Sequence, residues 1–516
     1  MPSSNNTSKT QNTSKHGKST TPSFVLEIPL RVTHKQSKTV DARMEAGRQM
    51  YNALLGEALK RMKLMRESKA YQAAQKLPKG SKERSEAFQA VKIEYGFTEY
   101  DLSPYATQLR ASWIRDHIGA HLAQKLTKRA YEAAAKVAYG KAKKVRFKSK
   151  NRGLHSLEGK NNEANLVWRD DHAEWAGLSL PMIEGIGSDP VIQHGLSSRI
   201  KYVRLVRRNI RGKTRYYAQL VCEGKPYHKP EQIIGNEIVG TDIGPSTIAV
   251  VGESKAELKL FAEEVARDHK RIRRLGRKQD RQRRANNPDC YDELGRAIKG
   301  KHPTKKSRHQ RETEAVLREL YRRESAHRKT LHGQLANQIL TIGRYIKTEK
   351  LSFKAFQKMF GRSIGVRAPK LFLSLLTRKA ERAGGKVEEF STYHTALSQV
   401  CLCGQKHKKR LSERVHACDC GVVMQRDLFS AYLAKHVSNE RLQAADAHEH
   451  WQGAEPLLRT AWQQAYNQPA SGRPVPSSFG TFRSQSGSSE KESLPEHEVQ
   501  DVVAAVQADA RARESA

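Results

Sequence analysis

The chain has 516 residues, with 93 Lys plus Arg against 54 Asp plus Glu, and its formal net charge is +39. A chain this basic repels itself unless an anionic partner covers it, and the usual partner is nucleic acid. No run of 18 consecutive apolar residues is present, which excludes an ordinary membrane-spanning helix, and the first 22 residues lack the apolar stretch of a secretory signal. We therefore expect a cytoplasmic protein without a membrane partner.

The first half of the chain is predicted to be a β domain that contains a helical insertion. Ser23–Val32 is rich in branched and aromatic residues, as strands are. From Asp41 the apolar residues recur at helical spacing, and a second helical stretch covers roughly residues 105–140. The predicted segments are a disordered basic tail at 1–22, a β domain at 23–40 and 141–235, and a helical lobe at 41–140.

Basic residues mark the predicted strands of this β domain. They interrupt the strand-like run Lys143–Lys150, and they form the turn of a hairpin between Tyr202–Val206 and Arg215–Val221. A solvated strand face would also be basic, but the charge of the whole chain favours contact with phosphates. The residues predicted to contact nucleic acid here are Arg146, Lys148, Arg211 and Lys213.

From about residue 236 strands alternate with helices, which favours an α/β layer around a partly parallel sheet. The predicted elements are strands at Glu237–Asp242 and Thr247–Val251, a basic helix at Glu263–Arg284, a long helix ending near Ile342, a strand to Glu349, a helix at Pro369–Gly384 and a strand at Val387–Phe390. Because the charges of the basic helix go nearly all the way round it, it cannot be an ordinary surface helix packed by one apolar stripe. Its candidate residues for contact with nucleic acid are Arg267, Arg271, Arg274, Arg277 and Lys278.

Three acidic residues on three segments are the candidate catalytic group. Asp242 ends an apolar strand, Glu349 ends another, and Asp427 follows a cysteine cluster. A single Asp at a strand end is more often a turn cap, but buried carboxylates that cluster require a cation. Carboxylates are preferred Mg²⁺ ligands, and two Mg²⁺ ions can hydrolyse a phosphodiester. We predict that these three acids are catalytic and bind two Mg²⁺ ions.

Four of the six cysteines form two C-x-C pairs, each followed by glycine. The pairs are Cys401 with Cys403 and Cys418 with Cys420. Four thiolates are a preferred set for one structural Zn²⁺, and glycine permits the tight turn of a zinc knuckle. His407 and His416 lie between the pairs and could replace a cysteine as ligands, so that alternative stays open.

The acids and cysteines together resemble a known family. The motifs that carry the resemblance are Gly240–Gly244, Thr348–Leu351, Cys418–Gly421 and Arg426-Asp427, with Tyr51–Leu55 and Val145–Ser149 in the first half. They resemble the RuvC-type nuclease, the helical recognition lobe and the basic wedge strands of TnpB-type transposon proteins and of the compact type V CRISPR effectors similar to them. The resemblance covers roughly residues 23–440.

The resemblance implies an α+β multidomain fold. A β-barrel wedge domain with a helical recognition insertion would precede an RNase H-like (RuvC) α/β nuclease domain with an inserted zinc ribbon. The implied segments are the nuclease at 236–396 and 425–440, a zinc-ribbon target-nucleic-acid-binding insert at 397–424, and a C-terminal helix with a disordered tail at 441–516. Two departures stand out: the family usually has Asn where this chain has Phe429, and both C-x-C pairs are one residue short.

By this resemblance the chain would be an RNA-guided DNA endonuclease. A guide RNA would select target double-stranded DNA beside a short flanking motif, and one RuvC site would cut it with Mg²⁺. The protein would act as a monomer or homodimer on RNA, in the nucleoid region of a bacterium or archaeon. Two alternatives stay open: an RNA-guided DNA-binding repressor that does not cut, and a transposase or resolvase that needs no RNA. The intact acids favour the endonuclease over the repressor.

Overall fold

The computed structural model describes residues 21–150, 153–410, 412–467 and 475–481, without the side chains of Ala266 and Arg267. Nearly all of the predicted basic tail, and the part of the C-terminal tail beyond 481, lie outside the described residues. The chain divides into two compact units, one made of the residues up to Ile233 with Val265–Thr330, the other of Ile234–Glu264 with the residues from Leu331 onward. Among the described residues, no helix combines the length and apolarity that crossing a bilayer requires.

The secondary structure alternates in the way the periodicity predicts, with several additional elements. In chain order the first elements are β1 (Ser23–Leu30), α1 (His34–Glu67), α2 (Lys69–Lys76), α3 (Lys82–Glu94), α4 (Ser103–Arg110), α5 (Ala120–Ala138), β2 (Ser156–Glu158), β3 (Leu166–Arg169), β4 (His172–Trp175), β5 (Leu178–Pro181), α6 (Pro190–Leu196), β6 (Ile200–Ile210) and β7 (Lys213–Glu223). Those that follow are β8 (Ile238–Ile243), β9 (Thr247–Val251), β10 (Ala256–Leu260), α7 (His269–Ala285), α8 (Arg308–Ile342), β11 (Tyr345–Glu349), α9 (Phe353–Arg367), α10 (Pro369–Arg382), β12 (Lys386–Phe390), α11 (Thr392–Thr395), β13 (Val415–Ala417), β14 (Val423–Gln425), α12 (Arg426–Lys435), β15 (Val437–Ser438), β16 (Arg441–Leu442), α13 (Ala444–Glu449) and α14 (Trp451–Asn467).

Helix α1 begins earlier than the apolar period predicts, at His34 rather than near Asp41. A capping box starts it: the Thr33 hydroxyl accepts from the Gln36 amide at 3.3 Å, and the Gln36 side chain accepts from the Thr33 amide at 2.8 Å. The first turn of the helix is polar, so apolar spacing alone does not reveal it.

The first unit contains two antiparallel sheets and the helices packed on them. One sheet has the order β1-β7-β6-β2 and the other the order β3-β4-β5. Ile28 of β1, Leu54 of α1 and Leu220 of β7 are fully buried in one shared hydrophobic core. An isolated bridge between Leu30 and Met182 links the sheets, but the described strands do not close into the predicted barrel. A closed barrel is not needed to bury the apolar faces of the two sheets, because helices α1 and α5 pack in the same hydrophobic core.

The predicted hairpin is confirmed, whereas the predicted basic strand before it is not. Strands β6 and β7 join at Arg211 and Gly212, whose φ angles of 52° and 77° are those of a type I′ turn. Residues 143–150 form no strand. Their backbone is held by a side chain instead, since Asn52 of α1 donates to the Lys148 carbonyl and accepts from its amide. Local composition could not reveal that side-chain bond.

The basic helix α7 belongs to the first unit, although the sequence places it within the second-half nuclease. It contains one narrow apolar contact, in which Ile272 and Leu275 pack against Leu317 and Leu320 of α8. The backbone amide of Arg211 also donates to the Glu319 side chain at 3.2 Å. These contacts connect distant segments, and no local pattern predicts them.

The second unit is built on a mixed five-stranded sheet of order β10-β9-β8-β11-β12. Strand β8 is antiparallel to β9 and parallel to β11, and β11 is parallel to β12. Val239 and Ile243 point to one face, where they pack with α8 and α10. Ala249 and Val251 point to the other face, where α12 and α14 cover them. Because side chains alternate along a strand, Gly240 and Asp242 share this second face.

Gly240 permits helix α12 to lie directly on strand β8. A Cβ atom at this position would lie 1.9 Å from the carbonyl oxygen of Ala431 and 2.9 Å from the amide nitrogen of Lys435. Both atoms belong to the backbone of α12, so no side-chain rotation could relieve the overlap. The close approach therefore requires glycine.

We expect Gly240→Ala to lower the free energy of unfolding of the second unit by roughly 1–3 kcal/mol, because the helix must move away from the strand. Denaturant unfolding measures this effect. Gly333→Ala is the matched control, since its Cβ would meet no atom within 4 Å in the same unit. Equal stability of the two variants would contradict the role of Gly240.

Candidate metal centres

Asp242 and Glu349 lie side by side on adjacent strands. The parallel register pairs Thr241 of β8 with Thr348 of β11, so the two acids form the next pair along the strands. Neighbouring strands are about 4.8 Å apart, and residues at paired positions point to the same face. The predicted strand-end placement of both acids is therefore confirmed. Each side chain is half-buried.

Helix α12 brings Asp427 to the same face. Asp427 is in the first turn of α12 and is only 6% exposed. Its Oδ2 accepts a hydrogen bond of 3.0 Å from the Thr247 hydroxyl on β9. Gln425 caps the helix, because its Oε1 accepts from the Leu428 amide at 2.7 Å. The helix N-terminus thus fixes the third acid next to the strands that carry the other two.

Without a cation, mutual repulsion and burial disfavour the ionised forms of the three acids. Burial, followed by the charges of Asp427 and Glu349, raises the pKa of Asp242 well above its usual value. Burial also raises the pKa of Glu349 to about 7, against a smaller lowering by the backbone amide of Leu397. The oxygen atoms of the three acids do not all come within 4.8 Å of one another. Carboxylate oxygens are the hard donors that Mg²⁺ prefers, but this structure does not bring the three acids into one coordination shell.

Two arginines beside the acids were not predicted. Arg426 lies 3.4 Å from Asp427 Oδ1, and its side chain is 13% exposed. The charges of Arg426 and Arg414 both act to lower the pKa of Asp242, against its larger raising by burial. Arg426 could be found from its position next to Asp427, whereas Arg414 has no local signal because only β13 pairing with β14 brings it near.

The four predicted zinc ligands form one cluster. Cys401 and Cys420 have Sγ atoms 3.5 Å apart, those of Cys403 and Cys418 are 3.6 Å apart, and all four lie within 4.8 Å of one another. A tetrahedral zinc with Zn–S bonds of 2.3 Å separates its sulfurs by about 3.8 Å. The cluster could therefore hold a zinc ion without large movement.

Both cysteine pairs adopt the same knuckle despite their short spacing. The amide of Gly404 donates to the Cys401 carbonyl at 3.0 Å, and the amide of Gly421 donates to the Cys418 carbonyl at 3.0 Å. The φ angles of these glycines are +81° and +93°, which favour glycine. A C-x-C-G segment therefore turns as tightly as the site requires.

The two histidines between the cysteine pairs are placed differently. His407 approaches the cluster, with its Nε2 atom 3.3 Å from the Cys418 sulfur. His416 is fully buried and stacks on Phe429 with ring centroids 4.4 Å apart, outside the four-cysteine group. The geometry therefore favours four cysteines as ligands, with His407 as a hydrogen-bonding neighbour.

The residues predicted to contact nucleic acid are mostly on the surface of the first unit. Those with exposed side chains are Arg146, Arg211, Lys213, Arg271, Arg274, Arg277 and Lys278. Lys148 is half-buried, and the side chain of Arg267 lies outside the described part of the chain. Their role in binding stays a prediction.

We expect Cys418→Ser to lower zinc content by about one equivalent per chain and to reduce stability, because zinc binding and local folding are coupled. Elemental analysis and thermal unfolding check both effects. Cys290→Ser is the control, since Cys290 lies outside the cluster. Unchanged zinc in the Cys418 variant would show that another ligand set holds the metal.

We also expect the stability of magnesium-free protein to fall as the pH rises from about 4.5 to about 7. Between these pH values the folded protein keeps the Glu349 proton, whereas the unfolded chain releases it. The free energy of unfolding therefore falls across this range and stays lower above about pH 7. Glu349→Gln, which cannot ionise, should reduce the fall, and Glu389→Gln on the exposed side of β12 should not. Denaturant unfolding at several pH values measures the slope, and an identical slope in both variants would contradict the buried acid.

Comparison with known proteins identifies one segment of the chain. Residues 370–433 match the family model described as Cas12f1-like, TNB domain. This segment contains α10, β12, the cysteine cluster and Asp427. No curated protein matches the chain.

Two solved structures are similar at low levels. A Cas12f1–sgRNA–target DNA complex is 12% identical with a TM-score of 0.39, over 80% of this chain and 98% of the other. A CRISPR–Cas12f ternary complex is also 12% identical, with a TM-score of 0.26, over 79% of this chain and 82% of the other. Structural similarity at these TM-scores is too weak to support the family match. The family match over residues 370–433 itself supports the resemblance to compact type V effectors that the motifs of the chain carry.

Proposed function

We propose that the chain is an RNA-guided DNA endonuclease that cuts double-stranded DNA by Mg²⁺-dependent hydrolysis. The observation that carries the proposal is the convergence of Asp242, Glu349 and Asp427 on one face of the β8–β11 sheet, next to the matched TNB segment. The mixed sheet with two acids at strand ends and a third on a covering helix also supports an RNase H-like nuclease domain. The Cas12f1 complex named above contains sgRNA and target DNA, and a guide RNA and target DNA are the partners proposed for this chain.

In this proposal the three acids would hold Mg²⁺, which would supply the chemistry for water activation and for stabilisation of the leaving oxygen. Thr247 orients Asp427 by its hydrogen bond of 3.0 Å. Arg414 and Arg426 place positive charge beside the acids, where they can contact a phosphate that enters the site. The zinc cluster lies in the same chain segment that leads through β14 into α12, and it stiffens the entry to the helix that carries Asp427.

One observation favours the non-cutting alternative. The family usually has Asn at the position of Phe429, and here that ring is 1% exposed, stacked on His416 and edge-on to Trp451 at 5.5 Å. No polar group from this position reaches the acids. A guided DNA-binding protein without cleavage is therefore the second candidate, and the acid variants below separate the two.

We expect Asp242→Asn, Glu349→Gln and Asp427→Asn each to lower Mg²⁺-dependent cleavage of guide-matched DNA by on the order of 10³-fold or more, because ligands of one site act as a unit. Binding of guide RNA and target should change little, since affinity comes from backbone contacts and base pairing. Glu389→Gln, on the same sheet but exposed, is the control. Cleavage that persists in the Asp242 variant would refute the site, and wild-type binding without cleavage would support the repressor.

The basic helix α7 is proposed to contact the RNA or the heteroduplex. Arg271, Arg274 and Lys278 are exposed, and no described carboxylate forms an ion pair with any of them. Replacing all three by Gln should weaken RNA binding and flatten its salt dependence, because fewer counterions are released. Binding titrations at several salt concentrations measure the slope.

Arg271→Lys with Arg274→Lys is the matched control, since it keeps both charges and should keep the slope. An unchanged salt dependence in the Gln variant would show that the helix is an ordinary solvated surface that does not contact RNA. RNA that copurifies with the protein at a defined length would separate the guided nuclease from a transposase that needs no RNA.

A further inference from the structure

A second group of metal-ligating side chains lies at the other end of α12. It consists of His436, Asp446 and His450, each of which offers a ligand atom within 4.8 Å of the others. His436 follows the last residue of α12, Asp446 is on α13, and His450 follows α13. The group contains no cysteine and none of the three acids.

The two imidazoles approach Asp446 through their Nδ1 atoms. The Nδ1 atom of His436 lies 2.5 Å from Asp446 Oδ2. That of His450 lies 3.5 Å from Oδ1 and 2.8 Å from the backbone carbonyl oxygen of Asp446, and a bound ion would have to replace this second contact. A tetrahedral ion with bonds of about 2.0–2.1 Å separates its ligand atoms by roughly 3.3 Å, so small shifts would bring all three into one coordination shell. Asp446 and His450 are four residues apart, a spacing that places both on one side of a helical turn.

The surroundings orient the ligands before any ion arrives. The side chain of His436 is 7% exposed, and its ring lies 4.8 Å from that of Tyr432, one turn earlier in α12. The Tyr432 hydroxyl donates to the Ala447 carbonyl, which ties α12 to α13. The Nε2 atom of His436 has no hydrogen-bond partner among the described residues, so ring packing rather than a second hydrogen bond sets its orientation.

The group is also open to solvent where an ion must enter. The side chains of Asp446 and His450 are 51% and 55% exposed. Glu449 and Glu253 add negative charge near His450. Lys347 and Lys435 are nearby cations. The ammonium group of Lys347 already donates to the carbonyls of Lys435 and Val437, and that of Lys435 donates to the Gly252 carbonyl and pairs with Glu253. A divalent ion would therefore meet a carboxylate, two imidazoles and open positions for water.

We propose that His436, Asp446 and His450 form a binding site for a borderline first-row divalent cation such as Zn²⁺, Co²⁺ or Ni²⁺, distinct from the cysteine cluster and from the three acids. Two nitrogens and one oxygen suit these ions better than Mg²⁺. The ion joins the C-terminal end of α12 to α13 and so stabilises the helix whose first turn carries Asp427. The alternative is that these three side chains bind no metal and are joined by hydrogen bonds alone.

Cobalt titration of the full-length untagged protein separates the alternatives, because the two sites have different spectra. Cobalt bound by the cysteines shows a thiolate charge-transfer band in the near ultraviolet, and cobalt bound by the histidine site shows only visible d–d bands. His450→Ala should lower affinity at the second site roughly tenfold or more while the thiolate band persists. His448→Ala is the matched control, an exposed histidine of the same helix outside the group.

Thermal unfolding gives a second readout that does not depend on cleavage. Added Zn²⁺ should raise the melting temperature of wild type and His448→Ala more than that of His450→Ala, because an ion that binds only the folded state stabilises it. Identical cobalt titrations of the two variants would overturn the proposal. If His450→Ala also loses the thiolate band, Asp446→Asn decides, and wild-type cobalt binding by that variant would likewise overturn it.

Discussion

The contact between the backbone of α12 and strand β8 is the constraint on which the second unit depends. Gly240 leaves room for the Ala431 carbonyl of α12. Two lysines, Lys347 and Lys435, form hydrogen bonds that hold the helix to the sheet beside this contact. Lys347 of β11 donates to the carbonyl of Lys435 at 2.9 Å, and Lys435 in turn donates to the carbonyl of Gly252 at 3.2 Å. A helix held to the sheet at this distance cannot slide or rotate freely. Its N-terminal end therefore stays beside the strands that carry Asp242 and Glu349.

This one helix also connects three groups of candidate metal ligands. The cysteine cluster precedes it, because Cys420 lies just before β14 and β14 runs directly into Arg426. Asp427 is in its first turn, and His436 follows its last residue. Movement of α12 would thus change all three groups at once. Ions bound at the proposed sites would oppose such movement and would couple metal binding to the position of the third acid.

Electrostatics explain why acids can be buried together in so basic a chain. The net charge of +39 does not itself neutralise the acid cluster, because most of that charge is on exposed side chains. Among the described residues, Arg426 and Arg414 act to lower the pKa of Asp242, and burial outweighs them. Divalent cations therefore remain the natural counter-charge of the cluster. Many Arg and Lys side chains elsewhere in the chain are exposed at the surface.

The sequence by itself determined the features that depend on neighbours in the chain. The apolar run before Asp242, the cysteine-glycine pairs and the type I′ hairpin are all local, because strand pattern and turn conformation follow from a few adjacent side chains. The tertiary structure decided what depends on distant partners. It placed Gly240 under α12, assigned α7 to the first unit through its contact with α8, and left residues 143–150 without a strand. Packing between remote segments leaves no periodic trace in the chain, so only the folded structure could show that Arg414 lies near the acids and that His436, Asp446 and His450 meet.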